Sequence, residues 1–335
     1  MKKCCFIIPY FGILPNYFKL FLKSCEYNSD FNWLLFTDDR TQYDYPSNFR
    51  VEYISFEDLC NLFSSKFDFD ISLKFPYKLC DFKPSYGYVF EDYIKDYKAW
   101  GHCDVDMLFG HLSDFITESV LDAYDKIFTL GHLVIYKNTL ENNRVFMDIY
   151  KGRLLYREVF TNEKYCFFDE DGANEFNVNS LFAARNNKAI YLVDHSLNIN
   201  PWRIYFRRAV FKGRNEMINR YGFETEPYRH SVYLWDKGYV NRYYFYDHQL
   251  IKSNFTYIHL QKRKMSFVDG IDQHETILIR PNSFIPCRRE INSISSFIIN
   301  LLHTYTISYF KNRIKDIMIF DIYHTIRKIN FRYES

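Results

Sequence analysis

The chain has 335 residues, of which 47% are hydrophobic and 20% aromatic, and its 43 basic and 41 acidic residues leave a net charge of +2. This length is enough for one large domain or two closely packed ones with a sizeable core, and the high apolar share argues against a disordered chain. The small net charge gives no electrostatic case for a nucleic-acid partner, and no helix-turn-helix or zinc-finger spacing adds to one.

The N-terminal part alternates between strand and helix signals. Cys4–Ile8 is a continuous apolar run typical of a buried parallel strand, Tyr17–Cys25 has helical periodicity, and Asn32–Phe36 predicts a second strand. This alternation indicates an α/β fold with a doubly wound, Rossmann-type sheet. Ligands of such sheets bind at the carboxyl ends of the strands.

Two loops follow these predicted strand ends and are candidates to hold a nucleoside. The first loop contains Pro9, Tyr10, Phe11 and Gly12, and the second contains Asp38 and Asp39. For Asp38 a turn or helix cap is the alternative role.

The following elements are short. We predict a strand over Val51–Ile54, a helix over Phe56–Phe63 entered by Ser55, a helix over Ser85–Tyr97, short helices over Leu112–Ile116 and Val120–Tyr124, and extended segments over Ile127–Leu130 and Leu133–Tyr136. Further on, Tyr233–Gly238 and Val240–Tyr246 predict a hairpin with a Lys-Gly turn. Phe255–Leu260 predicts a late strand.

Asp104 and Asp106 form an Asp-x-Asp sequence between Gly101 and Gly110. Residues i and i+2 of an extended strand face the same side, so both carboxylates could reach one hard cation at a strand end. A divalent ion held in this way keeps open positions for phosphate oxygens. The alternative is a pair of solvated charges at a turn, because short motifs match by chance.

Several separated blocks support the metal interpretation. They are Ile8–Gly12, Phe36–Asp39, Tyr77–Pro84, Trp100–Asp106, Gly131-His132, Phe168–Glu170 and Tyr257–Arg263. In this order the blocks resemble nucleotide-sugar glycosyltransferases of the GT-A fold. More narrowly, they resemble a glycosyltransferase-like family from bacterial surface-polysaccharide clusters.

The resemblance implies roles for further residues. Lys78, Asp81 and Lys83 precede the Asp-x-Asp strand, where an acidic residue of GT-A enzymes meets the nucleotide or donor sugar; solvated surface lysines are the alternative for Lys78 and Lys83. Asp169 and Glu170 lie where acceptor-side carboxylates often occur, and one of them would be the catalytic base of an inverting enzyme. In a retaining enzyme both would only position the acceptor.

His259 ends the late apolar strand and precedes Lys262 and Arg263. A neutral imidazole is a good ligand for a transition metal such as Mn²⁺, and many GT-A enzymes place a late histidine on the metal. The two cations that follow could neutralise a departing diphosphate. A purely structural histidine is the alternative.

The cysteines and the N-terminus indicate a cytoplasmic protein. The eight cysteines include no Cys-x-x-Cys pair, so we expect reduced, buried thiols and no zinc site. The apolar run that ends at Pro9 is too short for a signal peptide, and no run reaches transmembrane length.

We predict a catalytic domain over residues 1–285, with a nucleotide-binding half to about 110 and an acceptor half over 111–285, followed by a helical appendage over 286–335. The appendage combines an apolar stripe with a basic excess beyond Phe310: Lys311, Arg313, Lys315, Arg327, Lys328 and Arg332. Such a segment can lie on the inner membrane face or pack on the protein.

The function that these patterns favour is a glycosyltransferase dependent on Mn²⁺ or Mg²⁺. It would use a nucleotide-sugar donor, best matched by a UDP-sugar, and a bacterial glycan or lipid-linked oligosaccharide as acceptor. Two alternatives stay open: a non-catalytic glycan-binding protein whose aromatics stack on sugars, and a nucleotidyl- or phosphotransferase, which also uses paired aspartates. No phosphate-cradling Gly-rich loop or kinase signature supports the latter.

Overall fold

A computed structural model describes residues 2–171, 175–185, 188–193, 195–199, 206–215, 218–225 and 231–304. Its strands are β1 (Lys2–Pro9), β2 (Phe31–Thr37), β3 (Phe49–Tyr53), β4 (Tyr97–Cys103), β5 (Met107–Phe109), β6 (Lys126–Ile127), β7 (Leu133–Lys137), β8 (Ile149–Tyr150), β9 (Arg153–Leu154), β10 (Ile190–Tyr191), β11 (Ser196–Ile199), β12 (Phe206–Asn215), β13 (Ile218–Thr225), β14 (Ser231–Asp236), β15 (Tyr239–Tyr246), β16 (Gln249–Phe255), β17 (Tyr257–His259), β18 (Ser266–Phe267), β19 (Thr276–Arg280) and β20 (Ser283–Pro286). Its α-helices are α1 (Phe18–Glu26), α2 (Phe56–Ser64), α3 (Leu79–Phe82), α4 (Tyr86–Val89), α5 (Glu91–Ile94), α6 (Glu118–Ala123), α7 (Leu155–Thr161), α8 (Val178–Ala184) and α9 (Ile294–Thr304).

The chain divides into two compact units that interleave along the sequence. The first comprises Met1–Val105, Leu112–Asp194 and Val210–Gly222. The second comprises Asp106–His111, His195–Ala209 and Phe223–Ser335. The helix α9 is therefore grouped with the strands that precede it in the chain.

The first unit is built on a seven-stranded sheet with the order β10-β6-β7-β4-β1-β2-β3. The strands β3, β2, β1 and β4 run parallel, whereas β7 is antiparallel to β4 and to β6. The helix α1 joins β1 to β2, and α2 to α5 lie between β3 and β4, whereas a loop over residues 38–48 joins β2 to β3. This mixed sheet confirms the predicted α/β class.

Aromatic side chains fill the core of the first unit. Trp100 stacks on Tyr136 with ring centroids 4.4 Å apart, and its indole N–H donates to Asn143 Oδ1 at 2.7 Å. Phe82 stacks on Phe160 at 4.0 Å. Each such side chain contributes about 1.5–3 kcal/mol on burial. Much of the unusual aromatic content is thus ordinary packing.

Local signals placed α2 correctly. The hydroxyl of Ser55 accepts the Asp58 N–H at 3.0 Å and so caps the helix at the predicted residue. The helix predicted over Ser85–Tyr97 is wrong, because α4 and α5 are separate turns and β4 already begins at Tyr97. Tertiary packing explains the interruption: a Cβ on Gly87 would lie 2.3 Å from the Trp100 ring, so this segment is pressed against the sheet.

The second unit contains a six-stranded sheet with the order β16-β15-β14-β19-β20-β18. The predicted hairpin is confirmed, since β14 pairs antiparallel with β15 and Asp236 lies opposite Tyr239. Lys237 and Gly238 form its turn with φ angles of 47° and 85°. Two positive φ angles are what the common two-residue hairpin turn needs. A further five-stranded sheet has the order β13-β12-β11-β17-β5.

The helix α9 confirms the predicted helical start of the C-terminal segment. Phe297 is buried in one apolar cluster with Val232, Leu234 and Leu278, so one face of α9 packs on the sheet. Ile294, Ile298 and Leu302 lie on the exposed face. Residues 305–335, with the predicted basic excess, lie outside the described residues.

All eight cysteines are free, and four of them are fully buried: Cys4, Cys5, Cys25 and Cys103. Within the described part of the chain, the helices are all too short or too polar to cross a bilayer.

Candidate metal centre

The Asp-x-Asp residues lie on a bend between β4 and β5. The Asp104 N–H donates to the His132 carbonyl at 3.0 Å, and the Asp106 carbonyl accepts the Leu260 N–H at 2.8 Å. We predicted an extended strand end, but the ladder of β4 stops at Cys103 and the chain turns before β5. The two carboxylates approach each other because of this bend rather than through strand alternation.

Asp104, Asp106 and His259 each offer one ligand atom, and these atoms lie within 4.8 Å of one another. Strand pairing brings His259 to the acidic bend: β17 is antiparallel to β5, and His259 lies opposite Met107, the residue after Asp106. Two carboxylates and an imidazole suit a hard or borderline divalent cation. The three predicted metal ligands therefore form a group that could hold a metal ion.

Polar side chains hold the imidazole of His259 in place. Its Nδ1 lies 3.1 Å from Asn198 Oδ1, which also accepts from Gln261 Nε2 at 3.2 Å. Gln261 Nε2 lies equally close to Nδ1, at 3.1 Å, so an acceptor and a donor both face this nitrogen. The other ring nitrogen, Nε2, lies 3.4 Å from Asp106 Oδ1. Orientation of a ligating histidine by a polar partner on its other nitrogen is usual in metal sites.

Asp106 is held in its ionised form although it is buried. Burial alone raises the pKa of a carboxyl, but His259 and the Lys262 N–H outweigh burial and bring the pKa of Asp106 down to about 2. The Lys262 amide donates directly to Asp106 Oδ2. Gln261 and Lys262 have φ angles of 56° and 55°, a strained backbone that aims this amide at the carboxylate.

The side chains of Lys262 and Arg263 differ in accessibility. The Lys262 ammonium is exposed to solvent, while Arg263 is half-buried and its Nη1 donates to the Pro281 carbonyl at 3.5 Å. Lys262 thus acts on the site through its backbone and carries a charge that a ligand could reach.

Lys83 connects the acidic bend to the predicted catalytic carboxylates. Its ammonium lies 2.9 Å from Asp104 Oδ1 and 3.4 Å from Asp169 Oδ2, and it donates to the Gly131 carbonyl at 2.7 Å. Burial acts to lower the pKa of Lys83, but Asp104 and Asp169 outweigh burial and raise the pKa well above its usual value. This lysine is a charged part of the site and not a solvated surface residue.

Asp169 is a buried carboxylate with an unusual proton affinity. Burial raises the pKa of Asp169 to about 7; Lys83 opposes this shift, and Glu170 and Asp104 add to it. The Tyr165 hydroxyl lies 3.2 Å from Asp169 Oδ1 and 3.3 Å from Glu170 Oε1. A carboxyl that titrates near neutrality is suited to accepting a proton in a reaction.

Gly131 makes this arrangement possible. A Cβ at this position would lie 2.6 Å from Asp169 Oδ2, and the Gly131 N–H lies 3.4 Å from Glu170 Oε2. The backbone of residue 131 can approach the two carboxylates only because it carries no side chain.

Lys78 and Asp81 lie in the interior, where a ligand cannot touch them. Both side chains are 0% exposed and form an ion pair at 2.8 Å. Lys78 also donates to the carbonyls of Val159 and Lys164 at 3.0 and 2.6 Å. The predicted nucleotide contact of these two residues is therefore wrong; the pair ties together distant parts of the chain, and this explains why burial of both charges is tolerated.

The two predicted nucleoside loops meet at the carboxyl ends of β1 and β2. Asp38 Oδ1 accepts the Gly12 N–H at 2.9 Å, and Asp39 Oδ2 accepts the Leu14 N–H at 3.1 Å. Gly12 has a φ angle of 97°, which favours glycine. Pro9, Tyr10 and Phe11 in the first loop are half-buried. The aspartates hold the first loop in shape, and whether the loops bind a nucleoside stays a prediction.

Two residues of the site were missed from the sequence. Asn198 orients His259 from β11, which pairs in parallel with β17, and Tyr165 reaches Asp169 and Glu170. Neither belongs to a recognisable motif. For Asn198 the only signal was its place between Leu197 and Ile199, where a polar side chain marks a buried group that needs a partner.

Residues 6–288 match a family of unknown function (DUF6625), and because the match covers most of the chain, the protein belongs to this family. Among curated proteins, none matches the chain.

Proposed function

We propose that this protein is a metal-dependent glycosyltransferase of the GT-A class. It transfers a sugar from a nucleotide-sugar, best matched by a UDP-sugar, to a bacterial surface glycan or lipid-linked oligosaccharide. The observation that carries the proposal is the group formed by Asp104, Asp106 and His259, with ligand atoms within 4.8 Å of one another.

The position of the acidic bend supports this class. Asp104 follows β4, which lies beside β1 in the parallel part of the seven-stranded sheet. The loops after β1 and β2 leave the same edge of that sheet. Ligands of parallel α/β sheets bind at this edge, so a nucleotide there would lie beside the carboxylates.

Asp104, Asp106 and His259 would hold a divalent ion, Mn²⁺ or Mg²⁺. Such an ion supplies electrostatic stabilisation of a departing diphosphate. The pKa of Asp106, at about 2, keeps this ligand anionic at neutral pH. Lys262 lies in the strained turn after His259. Its exposed ammonium adds positive charge for phosphate oxygens.

Asp169 is our candidate for the base that accepts the proton of the acceptor hydroxyl in an inverting reaction. Its pKa of about 7 makes the carboxylate available at neutral pH while keeping it basic enough to take a proton. Glu170 lies beside it and positions the acceptor. In a retaining reaction both residues would serve in positioning alone. Lys83 fixes the distance between the base and Asp104 through its two ion pairs.

The exposed face of α9 supports a place for the enzyme at the cytoplasmic side of the membrane. Ile294, Ile298 and Leu302 recur at helical spacing and are all exposed. An apolar helix face of this kind can rest on a bilayer, where a lipid-linked acceptor would be confined.

A thermal-shift screen tests the proposed function. The purified protein is heated with UDP, GDP or CDP, each with and without Mn²⁺, and we expect UDP and Mn²⁺ together to raise the melting temperature most. Preference for GDP or CDP would correct the nucleotide. If no nucleotide stabilises the protein in the presence of metal, but glycans do, the protein is a glycan-binding module and the proposal is wrong. Product analysis with a panel of nucleotide sugars then identifies the donor.

A further inference from the structure

Three aromatic rings form an accessible cluster beside Asp169 and Glu170. Tyr77 and Tyr165 meet edge to face with ring centroids 5.2 Å apart, and Tyr165 lies 4.2 Å from Phe167. Tyr77 and Phe167 are each 50% exposed. We call Tyr77, Tyr165 and Phe167 the aromatic platform. Large exposed rings in contact with one another mark interaction sites more than isolated ones do.

Phe167 is presented to solvent by a strained backbone. Its φ angle is 59°, in the left-handed region that a bulky residue rarely adopts. Such strain persists only where the surrounding structure enforces it, and it concentrates at functional sites. Phe168, the next residue, is fully buried, so the chain turns sharply between the two rings.

The buried pair of Lys78 and Asp81 enforces this turn. Asp81 accepts the N–H groups on both sides of Phe167, from Cys166 at 2.8 Å and from Phe168 at 3.0 Å. Lys78 holds the Lys164 carbonyl from the other side. A fully buried ion pair thus fixes the backbone on both sides of one exposed aromatic ring.

Hydrogen-bond acceptors lie directly beside the rings. The Tyr165 hydroxyl contacts both Asp169, which is buried, and Glu170, which is half-buried, so the accessible edge of the aromatic platform continues into the carboxylate oxygens of Glu170. A flat apolar face bordered by fixed acceptors matches a pyranose ring, which has one face of C–H groups and a rim of hydroxyl donors. An apolar peptide would bring no hydrogen-bond donor to the Glu170 carboxylate, and an anionic lipid headgroup would be repelled by it.

We propose that the aromatic platform binds a pyranose ring of the glycan acceptor. The sugar stacks on Phe167 and Tyr77, and a rim hydroxyl donates to the half-buried carboxylate of Glu170. The identification of this sugar as the acceptor rests on the proposed function. Binding of the sugar itself requires neither metal nor nucleotide, because it uses only these side chains.

The test measures sugar binding directly by saturation-transfer difference NMR. The probes are the methyl pyranosides of glucose, galactose, mannose and N-acetylglucosamine, added to the full-length protein without metal. The key variant is Phe167→Gly, because glycine removes the ring and also suits the positive φ angle, so the fold is not weakened. Tyr77→Ala is the second variant. Tyr246→Ala is the matched control, since Tyr246 is an exposed aromatic on β15.

We expect at least one pyranoside to bind the wild type, with Phe167→Gly and Tyr77→Ala each weakening it about tenfold, as the loss of one stacking partner implies. The control should bind as the wild type does. Mn²⁺-dependent stabilisation by UDP should be unchanged in Phe167→Gly.

The proposal that the aromatic platform binds a pyranose is wrong if the wild type binds no pyranoside, or if Phe167→Gly binds as the wild type does. Loss of UDP binding in Phe167→Gly would assign the rings to the nucleotide base instead and would also overturn it. Failure of the proposed function appears differently, as sugar binding that persists while no nucleotide binds with metal.

Discussion

At the scale of single residues, the surroundings of each carboxylate define its chemistry. Asp106 is kept ionised by His259 and by the Lys262 amide, whereas burial leaves Asp169 with a pKa of about 7. Asp104 remains partly exposed and is paired with Lys83. These three aspartates are indistinguishable by residue type, and their environments separate two candidate metal ligands from one candidate base.

The first prediction concerns Asp106. Asp106→Asn keeps the volume of this buried side chain but removes the anionic ligand, so the joint stabilisation by UDP and Mn²⁺ should disappear. For a ligand at a hundred times its Kd, that stabilisation is about 2.7 kcal/mol. Thermal shift measures the loss. Asp122→Asn, on the exposed face of α6, is the control and should respond like the wild type. Full ligand-induced stabilisation of Asp106→Asn would rule out the metal assignment.

The second prediction concerns the partner of His259. Asn198→Ala removes the amide oxygen that lies 3.1 Å from His259 Nδ1 and frees the imidazole to rotate. Loss of such an orienting contact weakens metal binding about 10–100-fold. His259→Ala should weaken metal and UDP binding together and more strongly. Calorimetric titration with Mn²⁺ measures the metal affinity of both variants. An unchanged Mn²⁺ affinity in His259→Ala would make His259 a structural residue.

The third prediction uses the raised pKa of Asp169. An acid with a higher pKa in the folded state than in the unfolded state binds more protons when folded, so its contribution to stability is lost as pH rises between the two values. For Asp169 this window runs from its ordinary value near 3.8 up to about 7. Relative to Asp169→Asn, the wild type should lose about 1.4 kcal/mol of unfolding free energy per pH unit within this window.

Urea denaturation of both proteins at several pH values checks this slope. A difference that is independent of pH would show that the pKa of Asp169 is ordinary. If Asp169 is also the base, transfer by the wild type should increase with pH through about 7, because only the ionised carboxylate can accept the proton.

At the scale of elements, short pieces of structure are held by buried polar contacts more than by their own propensity. The segment over residues 164–168 has no helix or strand, yet Asp81 and Lys78 fix its backbone from α3 and the turn before it. Similarly, Asp38 and Asp39 on one loop hold the backbone of the neighbouring loop. Side chains thus replace the regular hydrogen-bond ladder wherever the site needs an irregular backbone.

The fourth prediction tests the Lys78–Asp81 pair. Asp81→Asn leaves the Lys78 ammonium buried without its counter-charge, and breaking such a pair costs about 3–5 kcal/mol of unfolding free energy. Chemical denaturation measures the loss. Asp68→Asn breaks the exposed pair with Arg157 and is the matched control, for which we expect no comparable loss. Equal stability of the two variants would contradict a supporting role for the buried pair.

At the scale of the whole molecule, α9 has two different faces. Phe297 is buried in the cluster formed with the second unit's sheet, whereas Ile298 and Leu302 are exposed at 46% and 66%. The predicted alternatives for this segment, packing on the protein and contact with a membrane, therefore need not exclude each other, because they use opposite faces of the helix.

The fifth prediction separates the two faces of α9. Ile298→Glu combined with Leu302→Glu should abolish flotation with anionic liposomes without lowering stability, since charge on the exposed face opposes bilayer contact. Phe297→Ala should instead cost about 3–5 kcal/mol of unfolding free energy through the cavity it leaves. Flotation at low and high salt also reports the electrostatic part. Absence of wild-type binding at low salt would end the membrane proposal.

The sequence by itself determined several regular elements. Apolar runs placed β1 and β2, Ser55 marked the start of α2, and the Lys-Gly pair marked the hairpin turn. These features depend on neighbours in the chain, such as a cap or a positive φ angle, and can therefore be read locally. Asp104, Asp106 and His259 were proposed as metal ligands from their residue types and from the family resemblance, whereas the bend and the strand pairing that bring them together came from the structure.

Only the tertiary structure decided which polar residues face a ligand and which face the interior. Lys78 and Asp81 are charged residues of the kind that bind phosphates or metals, but both are buried. Lys83, five residues after Lys78, instead forms ion pairs with Asp104 and Asp169. The role of Asn198 depends on the pairing of β11 with β17, strands about sixty residues apart. Burial and long-range pairing set the charge, the pKa and the accessibility of a side chain. Neither the burial of a given polar residue nor its distant partner is contained in a local sequence pattern.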